Sequence, residues 1–445
     1  MKSNHLRNHA LSAAAVLSVC GTPGCVSESS SVSPLRTGLM SEHPNAAQVE
    51  TDQALKALAF RGPTQALPDL TDLQRIAVEH AIVATTKDLV SFHSTKDKPD
   101  QLKAVIDYVE SRFQGTAFVV QRFEKEGVHS VVISRSDSMN FSNVFLGHLD
   151  VVEHLDEEMF DLKREGDKLV GRGASDMKGA CATMLELFLN NQDDSRLDNA
   201  ALIFTTDEEV GGFRGLASLI KDHNLRADMV FNPDGAYSFF PSISEKGILH
   251  LRLTAQGVGA HGSRPWQGRN AIELLMSDVQ RVKGLYEFAT EAHPQVISFN
   301  LGKVSGGEAT NSVPASAVAQ IDIRFPPDMT AAEIRSRIAG ALENSFLEVL
   351  VEGDPVGIDA TDEALLDYLE ALKTNGVDPV LMHEQGSSDA RWFTEQGASI
   401  ILTKVDGSSA HVDHEYATVS GLVKLYEILD DFLTLVQDNT PKSRS

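Results

Sequence analysis

The chain has 445 residues, of which 42% are hydrophobic, and it carries a formal net charge of −24. This length and composition allow a sizeable core and predict two domains, whereas the strongly negative charge argues against binding to nucleic acid or to anionic membranes. Cys181 is the only cysteine beyond the first 25 residues, so we expect no internal disulfide and a stability that depends on packing.

The first 25 residues have the pattern of a signal peptide. Lys2 and Arg7 precede an apolar, small-residue stretch from Ala10 to Val19. This stretch is shorter than the about 20 apolar residues that a bilayer-spanning helix needs. We therefore expect residues 1–25 to be a signal peptide and the protein to be exported, to the periplasm or the extracellular space.

Two cysteines follow this apolar stretch, as they do in bacterial lipoproteins. Either Cys20 or Cys25 could carry a lipid anchor. The serine-rich residues after them predict a flexible tether within an N-terminal extension, residues 26–69. The pattern leaves open whether the chain is anchored and which cysteine would be lipidated.

From about residue 70 the chain alternates helix-like and strand-like patterns. Apolar runs such as Ala200 to Phe204 are separated by helical segments such as Met177 to Asn190. Such alternation predicts an α/β domain whose mixed, mainly parallel sheet has helices on its faces. The same alternation returns near residue 358, so this first domain is expected to comprise residues 70–245 and 358–440.

Between these two segments the pattern changes. Gly247 to Gln256 alternates like a half-exposed strand, a long helix is predicted from Asn270 to about Ala289, and two strands, a helix and a last strand follow. The order β-α-β-β-α-β is that of a ferredoxin-like α+β unit. Residues 246–357 are therefore predicted to form an inserted lid domain.

The run from Val144 to Asp150 is an apolar strand that ends in a glycine, an imidazole and a carboxylate. Open α/β sheets place their ligands just beyond the carboxyl ends of such strands, which suits His148 as a metal ligand. Asp150 can orient the imidazole through its other ring nitrogen. Taken alone, the His-x-Asp sequence is equally compatible with a strand that ends in polar loop residues.

Further polar residues follow other predicted strands or glycine-rich turns. They are Asp176 in the run Gly171 to Gly179, the pair Glu208 and Glu209 after the strand that ends at Phe204, Asp234 after a short strand, and His411 after the strand Ile400 to Val405. Any one of them is more often structural, for example as a helix cap. Adjacent acids at the end of a buried strand are costly unless cations neutralise them, so their collection at one sheet edge predicts a metal centre.

Two imidazoles and three carboxylates suit two zinc ions that share one carboxylate, because zinc accepts nitrogen and oxygen ligands. Cobalt or manganese would suit the same ligands. Paired ions can activate a bridging water and polarise a carbonyl group. One acid is left over: of the neighbours Glu208 and Glu209, one can bind metal while the other acts as general base.

The last ligand could be either of two histidines. His411 is the first side chain after the small turn from Asp406 to Ala410 that can reach a metal. His414 lies between two acids, in what is predicted to be an exposed turn before the last helix. We therefore predict that His411 is the ligand.

Together, the segments GHLD, GRGASDMKG, TTDEEVGG and NPDG resemble the co-catalytic zinc metallopeptidase family of aminoacylase, glutamate carboxypeptidase, acetylornithine deacetylase and succinyl-diaminopimelate desuccinylase. The resemblance runs from about residue 75 to 435, and NPDG with a later Glu-Lys-Gly is most similar to the dipeptidase branch. It implies the following roles: His148 and Asp234 on one zinc ion, Glu209 and His411 on the other, Asp176 bridging, Asp150 orienting His148, and Glu208 as the base. The family's histidine lies four residues before a glutamate, and only His411 has that spacing from Glu415.

The resemblance extends to the lid. The loop around His261 resembles one whose histidine donates to the developing oxyanion, often from a partner subunit. Asn311 and Arg324 lie in segments that match those holding a substrate carboxylate, which a guanidinium binds through two parallel hydrogen bonds. Gly386 and Ser387 resemble a substrate-binding loop of the catalytic domain. Without the resemblance, His261 would be interpreted as structural and the Gly386 segment as an ordinary turn.

These implications describe an exported di-zinc enzyme that hydrolyses an amide bond next to a free carboxylate, as a carboxypeptidase or dipeptidase does, with a metal-bridging water and Glu208 as general base. The substrate would be a small peptide or an N-acyl amino acid, and the lid could join two chains in a homodimer. An N-acyl amino acid deacylase of the same family is the first alternative. A binding lipoprotein without catalysis is the second, and the presence of Glu208 argues against it.

Overall fold

The computed structural model describes residues 71–438 together with Gln53, Leu55 and Lys56. The predicted signal peptide, both candidate lipidation sites and most of the predicted 26–69 extension lie outside the described residues. Residues 71–438 fall within one compact unit, Pro44–Ser445, so the sheets of this unit can be described together.

The described chain contains eight α-helices. Two of them begin with a capping box. The Thr71 or Thr330 side chain accepts a hydrogen bond from the backbone N–H three residues later, and the Gln74 or Glu333 side chain at that position accepts one from the backbone N–H of the threonine. The helices are α1 (Asp72–Ser91), α2 (Pro99–Arg112), α3 (Gly179–Asn190), α4 (Leu216–His223), α5 (Ala271–Lys283), α6 (Ala331–Ala341), α7 (Glu363–Thr374) and α8 (Val419–Asp438).

Eighteen strands lie among the described residues. They are β1 (Val119–Lys125), β2 (Val128–Ser134), β3 (Asn140–His148), β4 (Lys163–Glu165), β5 (Lys168–Val170), β6 (Ala200–Thr205), β7 (Arg226–Asn232), β8 (Ser242–Glu245), β9 (Gly247–Gln256), β10 (Ala260–His261), β11 (Ser298–Gly306), β12 (Ser312–Val313), β13 (Ser316–Phe325), β14 (Ser345–Gly353), β15 (Val356–Gly357), β16 (Met382–His383), β17 (Ser399–Leu402) and β18 (Tyr416–Thr418).

The larger sheet has the strand order β1-β2-β6-β3-β7-β17-β8-β15, with β16 beside β8. Its centre, β6-β3-β7-β17, is parallel, and antiparallel strands flank this centre on both sides. The predicted α/β fold with a mixed sheet is thereby confirmed. Because the four central strands run in one direction, their carboxyl ends meet at a single edge of the sheet.

Both faces of this sheet are covered, which explains why the central strands are apolar and buried in the residues that lead up to their carboxyl ends. Phe145 of β3 packs into the core formed with α1, α3, α7 and α8. Its neighbours Val144 and Leu146 point to the opposite face, where they join Leu216 of α4 and Phe393. A strand that is buried on both faces has no need of polar residues until it ends.

The second sheet has the order β11-β13-β9-β14 and is antiparallel throughout. Its four strands and the helices α5 and α6 follow the predicted β-α-β-β-α-β order, with the short pair β10 and β12 added. In β9, Leu249, Leu251 and Leu253 pack against the two helices. The alternate residues, which include Ile248 and His250, lie on the other face of the sheet.

Helix α5 is shorter than predicted, because it ends at Lys283 and not near Ala289. The N–H of Gly284 donates to the carbonyls of Gln280 and Arg281, and these bonds close the last turn. The apolar residues beyond this point lie in a loop that packs against the lid core, so their hydrophobicity did not indicate a continued helix.

One small sheet was missed in the sequence. The strands β18, β5 and β4 pair antiparallel, and β18 starts directly after Glu415. This pairing ties the segment that contains His411 to the residues just before the Gly171–Gly179 run. None of the described helices combines the length and the apolar character that crossing a membrane would require.

Candidate active site

His148 is the last residue of β3 and is almost completely buried, with 2% of its surface exposed. Its Nδ1 lies 3.0 Å from the carbonyl oxygen of Asp150, and its Nε2 lies 3.2 Å from Asp176 Oδ1. A ring nitrogen that faces a carbonyl carries the hydrogen. Nε2 is therefore the nitrogen whose lone pair is available to a metal ion.

The Asp150 carboxylate supports the neighbouring acidic turn. It accepts hydrogen bonds from the backbone N–H groups of Glu208 (3.2 Å) and Glu209 (3.0 Å), while it lies 3.6 Å from His148 Nδ1. Burial raises the pKa of Asp150 to about 7. The sequence suggested that this carboxylate orients His148, but the closer partner of the imidazole is the backbone carbonyl of the same residue.

Asp176 lies between the two histidines. Its Oδ1 is 3.2 Å from His148 Nε2 and its Oδ2 is 3.2 Å from His411 Nε2. Burial alone would raise the pKa of Asp176, but the two imidazoles lower it below its ordinary value. Each carboxylate oxygen therefore faces a different ligand nitrogen, which is the arrangement expected of a bridging residue.

Glu208 and Glu209 follow β6 in one short turn but point to different groups. Glu209 Oε1 lies 3.1 Å from His411 Nε2. The Glu208 carboxylate lies instead with His148 and Asp234. Burial, and then the nearby Asp234, raise the pKa of Glu208 well above its ordinary value. The turn thus presents one acid to each side of the site.

The candidate ligand atoms form two groups of three. One group contains His148, Glu208 and Asp234, and the other contains Asp176, Glu209 and His411. Within each group the atoms lie within 4.8 Å of one another. Burial raises the pKa of Asp234 to about 6, and repulsion from the nearby carboxylates of Asp176 and Glu209 adds to this rise. Two divalent cations would offset that repulsion, and imidazole nitrogens with carboxylate oxygens are their usual ligands. The residues present therefore fit a two-metal centre.

A cleft of about 520 Å³ opens over these groups, and residues of both sheets line it. Gly386 and Ser387 line it from the catalytic sheet, and Arg324 and His250 line it from the second sheet. Asp322 holds both lid residues, since its Oδ1 lies 3.0 Å from Arg324 Nε and 3.2 Å from His250 Nε2. Three of the four predicted substrate-binding residues thus lie at the cleft.

His261 and Asn311 do not line this cleft in the described chain. They lie together on the β10–β12 pair of the lid, where Gly262 N–H donates to the Asn311 carbonyl (2.6 Å). The His261 ring is exposed, and its Nδ1 lies 2.8 Å from Ser263 Oγ. Within a single chain, these two residues are therefore separate from the metal ligands.

Glu415 was missed in the sequence as a structural support of the site. It is fully buried, and one of its oxygens accepts from the backbone N–H groups of Ser175 and Asp176, both at 2.9 Å. The other oxygen pairs with Arg172, which also donates to the Val412 carbonyl. The only sequence signal was the four-residue spacing from His411.

His250 was missed as well. The strand period of β9 places it on the same face as Ile248, which also lines the cleft. The alternation of β9 could therefore have identified His250 as a residue that faces away from the lid core.

Residues 144–435 match the sequence pattern of peptidase family M20/M25/M40. The chain belongs to this family. Family members are hydrolases, so the chain is an enzyme, a metallopeptidase or amidohydrolase by class. One relative is a succinyl-diaminopimelate desuccinylase from Acinetobacter baylyi, which is 27% identical over 310 residues that cover 65% of this chain and 82% of the relative.

Solved structures of the family share the fold. An M20 family metallo-carboxypeptidase from Sulfolobus solfataricus has a TM-score of 0.67 at 17% identity, with 80% of this chain and 99% of that chain covered. A dinuclear metal-binding M20 peptidase from Bacillus subtilis has a TM-score of 0.57 at 13% identity, with coverages of 82% and 100%. The family is dinuclear and metal-dependent, in agreement with the two candidate ligand groups of this chain.

Proposed function

We propose that this enzyme hydrolyses an amide bond next to a free carboxylate and that small peptides are its main substrate class. The observation that supports this most directly is the state of Arg324 in the cleft. Its Nε is held by Asp322, whereas neither Nη atom has a hydrogen-bond partner among the described residues. The two Nη groups are therefore available to bind one carboxylate through two parallel hydrogen bonds.

Glu208 is proposed to move the proton in this reaction. When bound, two divalent ions, zinc in this proposal, would supply the Lewis acidity that activates water and polarises the scissile carbonyl. The Glu208 carboxylate takes a proton from the attacking water, and the C–N bond breaks as Glu208 returns that proton to the leaving amine. Its raised pKa lies in the direction that suits a group which must both accept and release a proton.

A panel of substrates tests this proposal. Purified protein loaded with zinc, cobalt or manganese is assayed on dipeptides and on N-acyl amino acids, each beside its C-terminal amide. We expect turnover of the substrates with a free carboxylate and a loss of most activity on the matched amides. If neither series is hydrolysed with any of the three metals, the proposal is wrong.

An N-acyl amino acid deacylase is the second candidate function. It is favoured by the relatives in the family, which are named as succinyl-diaminopimelate desuccinylases. Both candidates require the same ligands and the same base. The panel separates them, since a deacylase would prefer the N-acyl amino acids over the dipeptides.

Replacing Arg324 by methionine is expected to raise KM for substrates with a free carboxylate by roughly tenfold to a hundredfold, because a hydrogen bond between two charged groups is lost. The change in kcat should be smaller. The matched C-terminal amides should show no such loss. Arg252→Met is the control, because Arg252 lies on the same face of the second sheet but pairs with Glu348 and does not line the cleft. An equal loss on acids and amides would contradict a role in carboxylate binding.

We also propose that the lid joins two chains and that His261 reaches the partner's cleft. The exposed position of His261 on the lid, away from the cleft of its own chain, supports this arrangement. Mixing His261→Ala protein with Glu208→Gln protein, each inactive by itself, should then restore activity, because a mixed dimer contains one complete site. No recovery after subunit exchange would contradict the proposal.

Export is proposed from the N-terminal sequence. Lys2 and Arg7 followed by the apolar stretch to Val19 support a signal peptide, with lipidation at Cys20 or Cys25 as its membrane anchor. Fractionation of cells that express the full chain, together with mass analysis of the mature N-terminus, tests both points.

A further inference from the structure

The turn that carries Glu208 and Glu209 has no anchor of its own in the core. Glu208 and Glu209 are only partly buried, and Val210 is exposed. The turn ends at Gly211 and Gly212, which both have positive φ (104° and 65°), and Gly211 N–H donates to the Glu208 carbonyl at 2.7 Å. Such a turn keeps its position only through bonds that other segments make to its backbone.

Arg391 makes one of these bonds. Its Nη2 donates to the Gly211 carbonyl and its Nη1 donates to the Ser388 carbonyl, both at 2.6 Å. The side chain is 6% exposed, and its nearest carboxylate, Asp389, is 3.8 Å away. A buried guanidinium whose donors go to two main-chain carbonyls fixes the distance between two loops, because the donors form a rigid planar fork.

A second contact joins the same two loops. A Cβ atom on Gly212 would overlap the Asp389 carboxylate. The Asp389 side chain therefore lies directly against the backbone of Gly212. This closeness explains why the turn needs a residue without a side chain at position 212.

Arg391 also contacts Gly353, where the chain leaves the lid. Gly353 is the last residue of β14, and a Cβ atom there would lie 3.0 Å from Arg391 Nε and 3.1 Å from its Cδ. Arg391 also forms the wall between the catalytic cleft and a second pocket of about 300 Å³, which Gly353 and Trp392 line as well. It thus lies between the lid connection and the acidic turn.

We propose that Arg391 is a positioning residue, which holds the Glu208 turn in its working place and links that turn to the lid connection at Gly353. The inference rests on the proposed function, in which Glu208 is the base. A base must stand within hydrogen-bond reach of the proton it removes, and a displacement of about 1 Å can lower a rate on the order of a hundredfold. Arg391 thereby acts on turnover through Glu208.

Arg391→Lys tests the proposal, because lysine keeps the charge but has no rigid fork to join both carbonyls. We expect kcat to fall on the order of tenfold to a hundredfold, with KM within about twofold of the parent value and two metal ions still bound. Arg112→Lys is the matched control, since Arg112 also bridges two groups, Thr85 and Glu186, far from the cleft. Its kcat should equal that of the parent.

A double-mutant cycle shows whether Arg391 acts through Glu208. In the Glu208→Gln background there is no base to position, so Arg391→Lys should lower kcat no further. A multiplicative loss in the double variant would overturn the proposal. So would a rise in KM at unchanged kcat, which would make Arg391 a direct substrate ligand.

Gly353→Ala would place a Cβ atom 3.0 Å from Arg391 Nε, and also 3.0 Å from Ile248 Cγ2, and it leaves every charged group in place. It should lower kcat several-fold without a change in KM, and an unchanged kcat would overturn the link to the lid connection. If Arg391→Lys does not fold, this variant decides the question. An inactive parent protein would instead contradict the proposed function, whereas an active parent with a fully active Arg391→Lys variant would contradict the positioning role alone.

Discussion

Replacing Glu208 by glutamine is expected to lower kcat by at least about a hundredfold, the usual contribution of a general base, while two metal ions per chain remain bound. Glutamine has the size and polarity of glutamate, but its amide cannot take the proton of the attacking water. The carboxylate of Glu209, which faces His411, is unchanged in this variant. Steady-state kinetics and metal analysis of the purified protein measure the two quantities separately.

Glu165→Gln serves as the control for this substitution, because Glu165 is exposed on β4 and is remote from the ligand groups. It should retain the kcat of the parent. Near-normal turnover of Glu208→Gln would remove Glu208 from the role of base. A loss of one metal ion together with activity would show instead that Glu208 is a ligand, as its place beside His148 and Asp234 also allows.

His411→Ala should lose one metal ion and nearly all activity, whereas His414→Ala should keep both ions. His411 Nε2 lies 3.1 Å from Glu209 Oε1 and 3.2 Å from Asp176 Oδ2. Without the imidazole, these two carboxylates would hold a cation with one ligand fewer. The carboxylates of Asp176 and Glu209 raise the pKa of His411 to about 10, although partial burial opposes this. A divalent ion therefore has to displace a proton at this position.

His414 is the matched control, since it is exposed, lies three residues away and belongs to neither ligand group. Metal content of both variants after extensive dialysis is the decisive measurement. Two retained ions in His411→Ala and one in His414→Ala would reverse the assignment made from the sequence.

Much of the fold could be predicted because each central strand has two recognisable features in its sequence. The runs that end at His148 and Thr205 are apolar throughout, as burial on both faces requires, and each then ends abruptly in polar residues. Strand polarity places all such ends at one edge, which is why His148, Glu209 and Asp234 could be grouped without knowledge of any distance. The sequence pattern and the geometry follow here from the same physical constraint.

The supports of the site could not be predicted in this way. Glu415 reaches the backbone of Asp176, and Arg391 reaches the carbonyl of Gly211, across long stretches of chain. A side chain that hydrogen-bonds the backbone of a distant segment produces no helical or strand periodicity in the sequence around it. The carboxylate of Asp150 shows the same limit, because its hydrogen bonds to the turn of Glu208 and Glu209 depend on how β3 and β6 align.

The interruption of the catalytic sheet by the lid has a consequence for the order in which the protein is made. Strand β17, which completes the parallel centre beside β7, and helix α8, which packs against α1 and α3, are translated after the whole lid. His411 and Glu415 are translated with them. During synthesis the candidate ligands His148, Asp176, Glu209 and Asp234 are translated before the lid. His411 and the supporting Glu415 follow only after it. The complete set of candidate ligands can therefore come together only after the chain has been translated beyond Glu415, and we expect the group that contains His411 to bind its ion last.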